Sequence, residues 1–137
     1  MHPKILPFLQ TQTLGVISTI DDTHNAPESA VVAFSQTEAL ELVFGTFAST
    51  RKFVNILKDP RVAFTMFTED VTVQYEGVAR MVKGEEAERC RQIHVAKNPA
   101  SAKYSLHPEQ RFFLVKPVWI RYTDLSKNPE EVWEGPF

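Results

Sequence analysis

The sequence predicts a mainly β chain with peripheral helices, folded as one small six-stranded antiparallel barrel, and three observations carry this. Six runs rich in β-branched and aromatic residues are spaced along the chain. The connections between most of them are short and polar, too short for a crossover, which makes neighbouring strands antiparallel. Two or three segments carry helical patterns and fall between strands rather than among them. At 137 residues, the chain is predicted to form a single domain over 1–137, able to bury roughly two thirds of its extended surface.

Taken in order, Pro3 to Gln12 predicts a short amphipathic helix over the first strand, limited by Pro7 to about a turn on either side. Leu14 to Ile20 is the first strand, and Asp21 to Asn25 supplies turn formers before the second, Ser29 to Phe34. Ser35 to Glu38 is a polar connection to the third strand, Leu40 to Thr46, in which Glu41 faces solvent. A helix then runs to Lys58 and stops at Asp59-Pro60, because proline disfavours helical geometry in the preceding residue. Arg61 to Phe67 and Val71 to Val82 are the fourth and fifth strands; Thr72, Gln74 and Glu76 share one face, and Gly77 marks a bulge or bend. Gly84 to Ala96 is a helix with Glu85 and Arg89 spaced as an i,i+4 pair, ended by Asn98-Pro99. Pro99 to Pro108 is irregular. Arg111 to Tyr122 is a strand pair or one strand bent at Pro117, and the tail from Asp124 lacks periodicity while holding Val132, Trp133 and Phe137, as a docked segment would.

Composition narrows the function classes. With 15 basic and 17 acidic residues the net charge is −2, so nothing calls for nucleic acid or an acidic membrane surface, and any anion site is local. The single cysteine, Cys90, excludes an intrachain disulfide framework and suits a reducing compartment. The first nine residues lack a long apolar core, and no apolar run has the length of a membrane span. The expectation is a soluble cytoplasmic protein.

The stretch from Thr46 to Asp59 is chemically unusual. Phe53, Ile56 and Leu57, with Val54 beside them, form an apolar helix face, and Ser49 or Thr50 caps the helix. Arg51 and Lys52 occupy its first turn, where free N–H groups and the helix dipole already supply positive potential. Two hydroxyls, free amides and two cations suit a phosphate; on residues alone, two cations extended into water remain the other reading. Cys90 and His94 are four apart on a helix, a spacing able to bind metal, but without a companion the sequence assigns no metal and Cys90 is read as a small buried apolar group. Trp119 and Trp133 are read as packing residues, and Tyr104 and His107 as residues that could rim a pocket.

Phe44-Gly45-Thr46-Phe47-Ala48-Ser49-Thr50-Arg51-Lys52, followed by a helix and Asp59-Pro60-Arg61-Val62-Ala63, resembles the pyridoxamine 5'-phosphate oxidase-like family of FMN-binding split barrels. Thr46, Thr50, Arg51 and Lys52 match the family motif position by position, and the order of elements on both sides agrees over the whole barrel. The resemblance implies a split barrel acting as a homodimer, with FMN in the groove between subunits. It implies Arg51 and Lys52 on the phosphate, with Thr46, Ser49 and Thr50 beside them. Backbone groups of Ala30, Val31 and Val32 would lie near the ring. By residue type Thr72 or Gln74 could supply an edge hydrogen bond, and the outward polar face of a strand is the other reading of these two. Each assignment suits its residue type, since a phosphate takes cations and N–H donors and a flat ring takes β-branched walls.

The departures from the family also matter. In the true oxidase an arginine and a lysine on the second strand assist the flavin, whereas Ser29 to Ser35 holds neither; its Arg-X-His pair is missing too, because no histidine follows Arg121-Tyr122. The nearer likeness is to short, unassigned members. The expected function is an FMN-dependent oxidoreductase passing reducing equivalents between a nicotinamide and a small flat acceptor. The alternative is a non-catalytic module that binds FMN or haem, with His94 and His107 as candidate axial ligands, and a deazaflavin is a further candidate for the cofactor.

Overall fold

β-branched and aromatic residues are concentrated in most of the long strands of the computed structural model, which describes residues 2–137. In chain order the elements are α1 (Ile5–Thr11), β1 (Leu14–Asp21), β2 (Ala26–Ala33), β3 (Ser35–Gln36), β4 (Leu42–Phe47), α2 (Arg51–Lys58), β5 (Arg61–Phe67), β6 (Val71–Met81), α3 (Gly84–Lys97), α4 (Ala102–Ser105), β7 (Gln110–Asp124) and β8 (Glu131–Pro136). All strands join one eight-stranded antiparallel sheet in the order β2-β1-β5-β6-β7-β4-β3, with β8 beside β7. Among the described residues no helix is long and apolar enough to cross a membrane.

The two ends of this strand order are joined by a single residue. Strand β2 ends at Ala33 and β3 starts at Ser35, so Phe34 carries the chain from one edge of the sheet to the other. Its N–H donates to the Thr13 carbonyl at 3.1 Å and its side chain is fully buried. That connection curls the sheet into the expected split barrel. Its interior is filled by inward residues of every long strand, among them Ile17, Phe44, Phe64, Tyr75, Phe113 and Ile120. Phe44 stacks on Phe113 with ring centroids 5.3 Å apart, and Phe64 meets Tyr75 edge-on.

Several expectations are corrected. Among the described residues there are eight strands rather than six, because the connection after Phe34 forms the two-residue β3 and the tail forms β8 on β7. The third expected strand does not extend a meander from β2; as β4 it pairs with β3 and β7. It begins at Leu42, because Leu40 sits in a left-handed turn (φ 64°). The buried Tyr75 hydroxyl donates to the Leu40 carbonyl at 2.8 Å, which helps hold this strained residue, and burial pushes that phenol's pKa up. Pro7 does not interrupt α1: it lies in the first turn, where its missing N–H has no helical acceptor to lose. The helix seats Ile5 and Leu9 in the core beside β3 rather than over β1.

On α3, Glu85 and Arg89 form no ion pair; Glu86 pairs with Arg80, and Glu88 with Arg91. The segment after Pro99 is a 3-10 turn followed by α4 rather than irregular chain. The open question at Pro117 resolves to one long strand, β7. Its register against β6 slips between Glu76 and Gly77, as the glycine foretold, and Gly77 lies so close to Lys116 that a Cβ would stand 2.6 Å from that residue's carbonyl oxygen.

Candidate functional site

The site begins where β4 hands over to α2. Thr50 has extended backbone and caps the helix by accepting the Phe53 N–H at 3.4 Å. Its hydroxyl donates to the Phe47 carbonyl at 2.9 Å, so the 2.8 Å contact with Thr46 is a bond that Thr46 donates. These bonds fix the helix start. The amides of Arg51 and Lys52 precede the first helical acceptor and take no hydrogen bond among the described residues. Of the two hydroxyls proposed as cap, Ser49 is exposed and makes no such bond.

Helix α2 is turned differently from the expected apolar face. Val54 and Leu57 are exposed, while Phe53, Asn55 and Ile56 face inward. The reason is polar: the Asn55 amide donates to the Glu28 carboxylate at 2.8 Å and to the Thr19 hydroxyl at 3.1 Å, tying α2 to β2 and β1. The sequence assigns no role of their own to Glu28 and Asn55. A signal existed, since Glu28 shares strand parity with Ala30 and Val32, which puts a carboxylate on an inward face and calls for partners.

The two adjacent cations have different surroundings. Arg51 is 78% exposed and pairs with Glu28 at 2.9 Å. Lys52 is half-buried, with no carboxylate in ion-pair range among the described residues. Burial alone lowers its pKa. Both line one hollow of about 100 Å³ with Ile17, Thr19, Glu28 and Ala30. Two cations against one carboxylate leave a positive charge there uncompensated.

Lys52 also lines a groove of about 440 Å³ that continues past the hollow. One wall is Val31, Val32 and Ala33 of β2, and another is Gly45, Thr46 and Phe47 of β4 with Thr50. Because among the described residues β2 pairs only with β1, the backbone along its open side leaves donors and acceptors free. The far rim is aromatic: His107 stacks on Phe47 at 4.6 Å, and Tyr104 meets the same ring edge-on. His94 reaches the groove from α3 but is 4% exposed, with Nδ1 3.2 Å from the Ser35 hydroxyl. Cys90 is buried beside Val43, Val82 and Phe112, and burial pushes its thiol pKa up.

The structure therefore brings together Ala30, Val31, Val32, Thr46, Thr50, Arg51 and Lys52. It does not bring Thr72 and Gln74 to them within one chain. Both stand on the outer face of β6, Thr72 opposite Phe67 and Gln74 opposite Thr65. That outer face is apolar nearby, where Leu14, Val31 and Phe67 are exposed by 58, 65 and 61%. Trp119 stands on the outer face opposite Glu76, while Trp133 packs against the core.

Comparison with known proteins adds three kinds of finding. A family model described as Pyridoxamine 5'-phosphate oxidase matches residues 1–124. A search of curated proteins gave no match. Solved structures share the fold: a protein of unknown function from Agrobacterium tumefaciens has a TM-score of 0.78 at 16% identity, over 83% of this chain and 52% of that one. A heme binding protein from Mycobacterium smegmatis has a TM-score of 0.79 at 16% identity, over 92% and 53% of the two chains. A pyridoxamine 5'-phosphate oxidase-related, FMN binding protein from Nostoc punctiforme has a TM-score of 0.71 at 12% identity, over 98% and 90%. The chain thus spans about half the length of the first two.

Proposed function

The chain belongs to the pyridoxamine 5'-phosphate oxidase family, and on that premise we propose that it is an FMN-dependent oxidoreductase moving reducing equivalents between a nicotinamide and a small flat acceptor. The observation that carries the reading is Lys52, a half-buried ammonium without a carboxylate partner among the described residues, at the junction of hollow and groove. Leaving a cation in such a place is costly unless an anion visits it. The residues fit FMN. Lys52, Arg51 and the first amides of α2 suit the phosphate, and a groove of about 440 Å³ suits a tricyclic ring. The open side of β2 at Ala30 to Val32 offers backbone partners to the ring edge, with Thr46 opposite. When bound, FMN supplies the hydride and electron transfer, so the chain needs no nucleophile of its own. Its residues bind, orient and shield, with the Phe47, Tyr104 and His107 rim leaving room for a flat partner.

The Nostoc relative, described as FMN binding, supports this cofactor, while the mycobacterial one, described as heme binding, makes haem the competing ligand. A lone buried cysteine suits a cytoplasmic setting. The active form is a homodimer whose apolar outer faces meet, so that Thr72 and Gln74 of a second copy reach the groove. Fluorescence titration of the purified protein with FMN tests the reading. Saturable binding is expected, weakened about tenfold or more by Lys52→Ala and less so for riboflavin, which lacks the phosphate. Absence of FMN binding, or an affinity indifferent to Lys52→Ala, refutes it. Bound flavin that neither nicotinamide bleaches under anaerobic conditions leaves the non-catalytic module as the function.

A further inference from the structure

The Arg51–Glu28 pair sits inside the hollow assigned above to phosphate, which sets a carboxylate where an anion is to bind. Its two members are unequal. Glu28 has a side chain 17% exposed and is anchored by the Asn55 amide at 2.8 Å, whereas Arg51 is 78% exposed and has only this carboxylate. An ion pair with one member so exposed opens easily, and the member that moves is the one with no second bond. Lys52 lines the same hollow but has no carboxylate within ion-pair distance among the described residues.

We propose that Glu28 is a specificity-determining residue that holds Arg51 as a counterion until a phosphate monoester takes its place. The proposal rests on the FMN reading and adds which group the phosphate displaces. In the free protein the carboxylate serves as the counterion of Arg51 at the helix start, where the positive end of the helix dipole and Lys52 already lie. On binding, Arg51 exchanges one oxyanion for another, while Glu28 keeps its bond to Asn55 and remains as a negative charge beside the phosphate. The hollow therefore rewards a phosphate group less than its two cations alone would, and a ligand without phosphate leaves the Arg51–Glu28 pair closed.

The test is a cycle of four proteins: the natural chain, Glu28→Gln, Arg51→Ala and the double variant, each titrated with FMN and with riboflavin. Glutamine keeps an oxygen to accept the Asn55 bond, so Glu28→Gln is expected to fold, with a melting curve as control. FMN is expected to bind Glu28→Gln roughly fivefold more tightly than the natural chain, with riboflavin unchanged. The gain is expected to shrink when Arg51 is alanine, because no pair is left to open. An equal gain in both Arg51 backgrounds makes Glu28 a through-space repulsion only and overturns the exchange, as does no gain at all. Should Glu28→Gln not fold, Arg51 side-chain Nε–H resonances in the natural chain decide it: they move with FMN and stay with riboflavin if the exchange occurs, and respond alike if it does not. Failure of all four proteins to bind FMN overturns the flavin reading itself, an outcome distinct from binding without a Glu28 effect.

Discussion

Acid should weaken this fold through His94 in a window that can be stated in advance. The ring is 4% exposed, holds Ser35 through Nδ1 at 3.2 Å and meets Phe112 edge-on. Burial, helped by the charge of Lys97, lowers its pKa from 6.5 to about 4. The unfolded chain therefore takes up this proton first, and stability present above pH 6.5 is lost as the pH falls toward 4. At roughly 1.4 kcal/mol for each tenfold change in proton affinity, the full loss is about 3 kcal/mol, of which about 2 kcal/mol is felt by pH 5. Urea unfolding at pH 7.5 and pH 5.0, on the natural chain and on His94→Gln, measures it. The carboxylates of Asp21, Asp59, Glu86, Glu88 and Asp124, all lowered first by side-chain hydrogen bonds, also lose support in acid. They do so equally in both proteins and cancel in the difference. The natural chain should lose about 2 kcal/mol more than the variant between the two pH values. Parallel pH dependence in the two proteins refutes the argument.

Gly77→Ala is expected to cost about 2–3 kcal/mol in thermal or urea unfolding, because the new methyl meets backbone at Lys116 that has no room to give. Gly84→Ala, with nothing within 4 Å but φ at +60°, should cost about 1 kcal/mol, the strain of a left-handed alanine. Phe67→Asp places a charge on the exposed apolar face next to Thr72. Sedimentation at micromolar concentration should change from a two-chain to a one-chain mass, with weaker FMN binding; an unchanged mass removes that face from the proposed interface.

Most of the barrel was legible because its long strands alternate. Strands β5 and β6 place apolar residues inward at every second position, a pattern local enough to read from sequence, whereas β1 turns Gly15, Ile17 and Thr19 inward and is legible from its β-branched content instead. What escaped depends on distant chain. Strand β8 forms because the far half of β7 presents an open edge beyond the reach of β4, and no feature of residues 131–136 announces that edge. Strand β3 exists only because Phe34 must close the barrel, and Leu40 leaves the expected strand because the Tyr75 hydroxyl, from β6, meets its carbonyl. In α1 Pro7 leaves the helix whole, since the steric and hydrogen-bond penalties of proline begin only after the first turn.

The site divides along the same line. The motif around Thr50 was legible because cap, hydroxyls and cations are consecutive, and the structure ties Thr50 to Thr46 and to the Phe47 carbonyl through bonds of 2.8 and 2.9 Å. That Arg51 and Lys52 differ was not legible, because the carboxylate that separates them comes from β2 and is oriented by Asn55 of α2. Parity decides the remainder. Glu28, Ala30 and Val32 point one way along β2, and Thr72, Gln74 and Glu76 point the other way along β6. A strand cannot turn alternate residues to a new face without slipping its register against both neighbours. Register across β5, β6 and β7 at Thr72 and Gln74 is continuous, so these two residues stay outside the barrel. A single site that uses Lys52 together with Thr72 or Gln74 is therefore not formed within one chain.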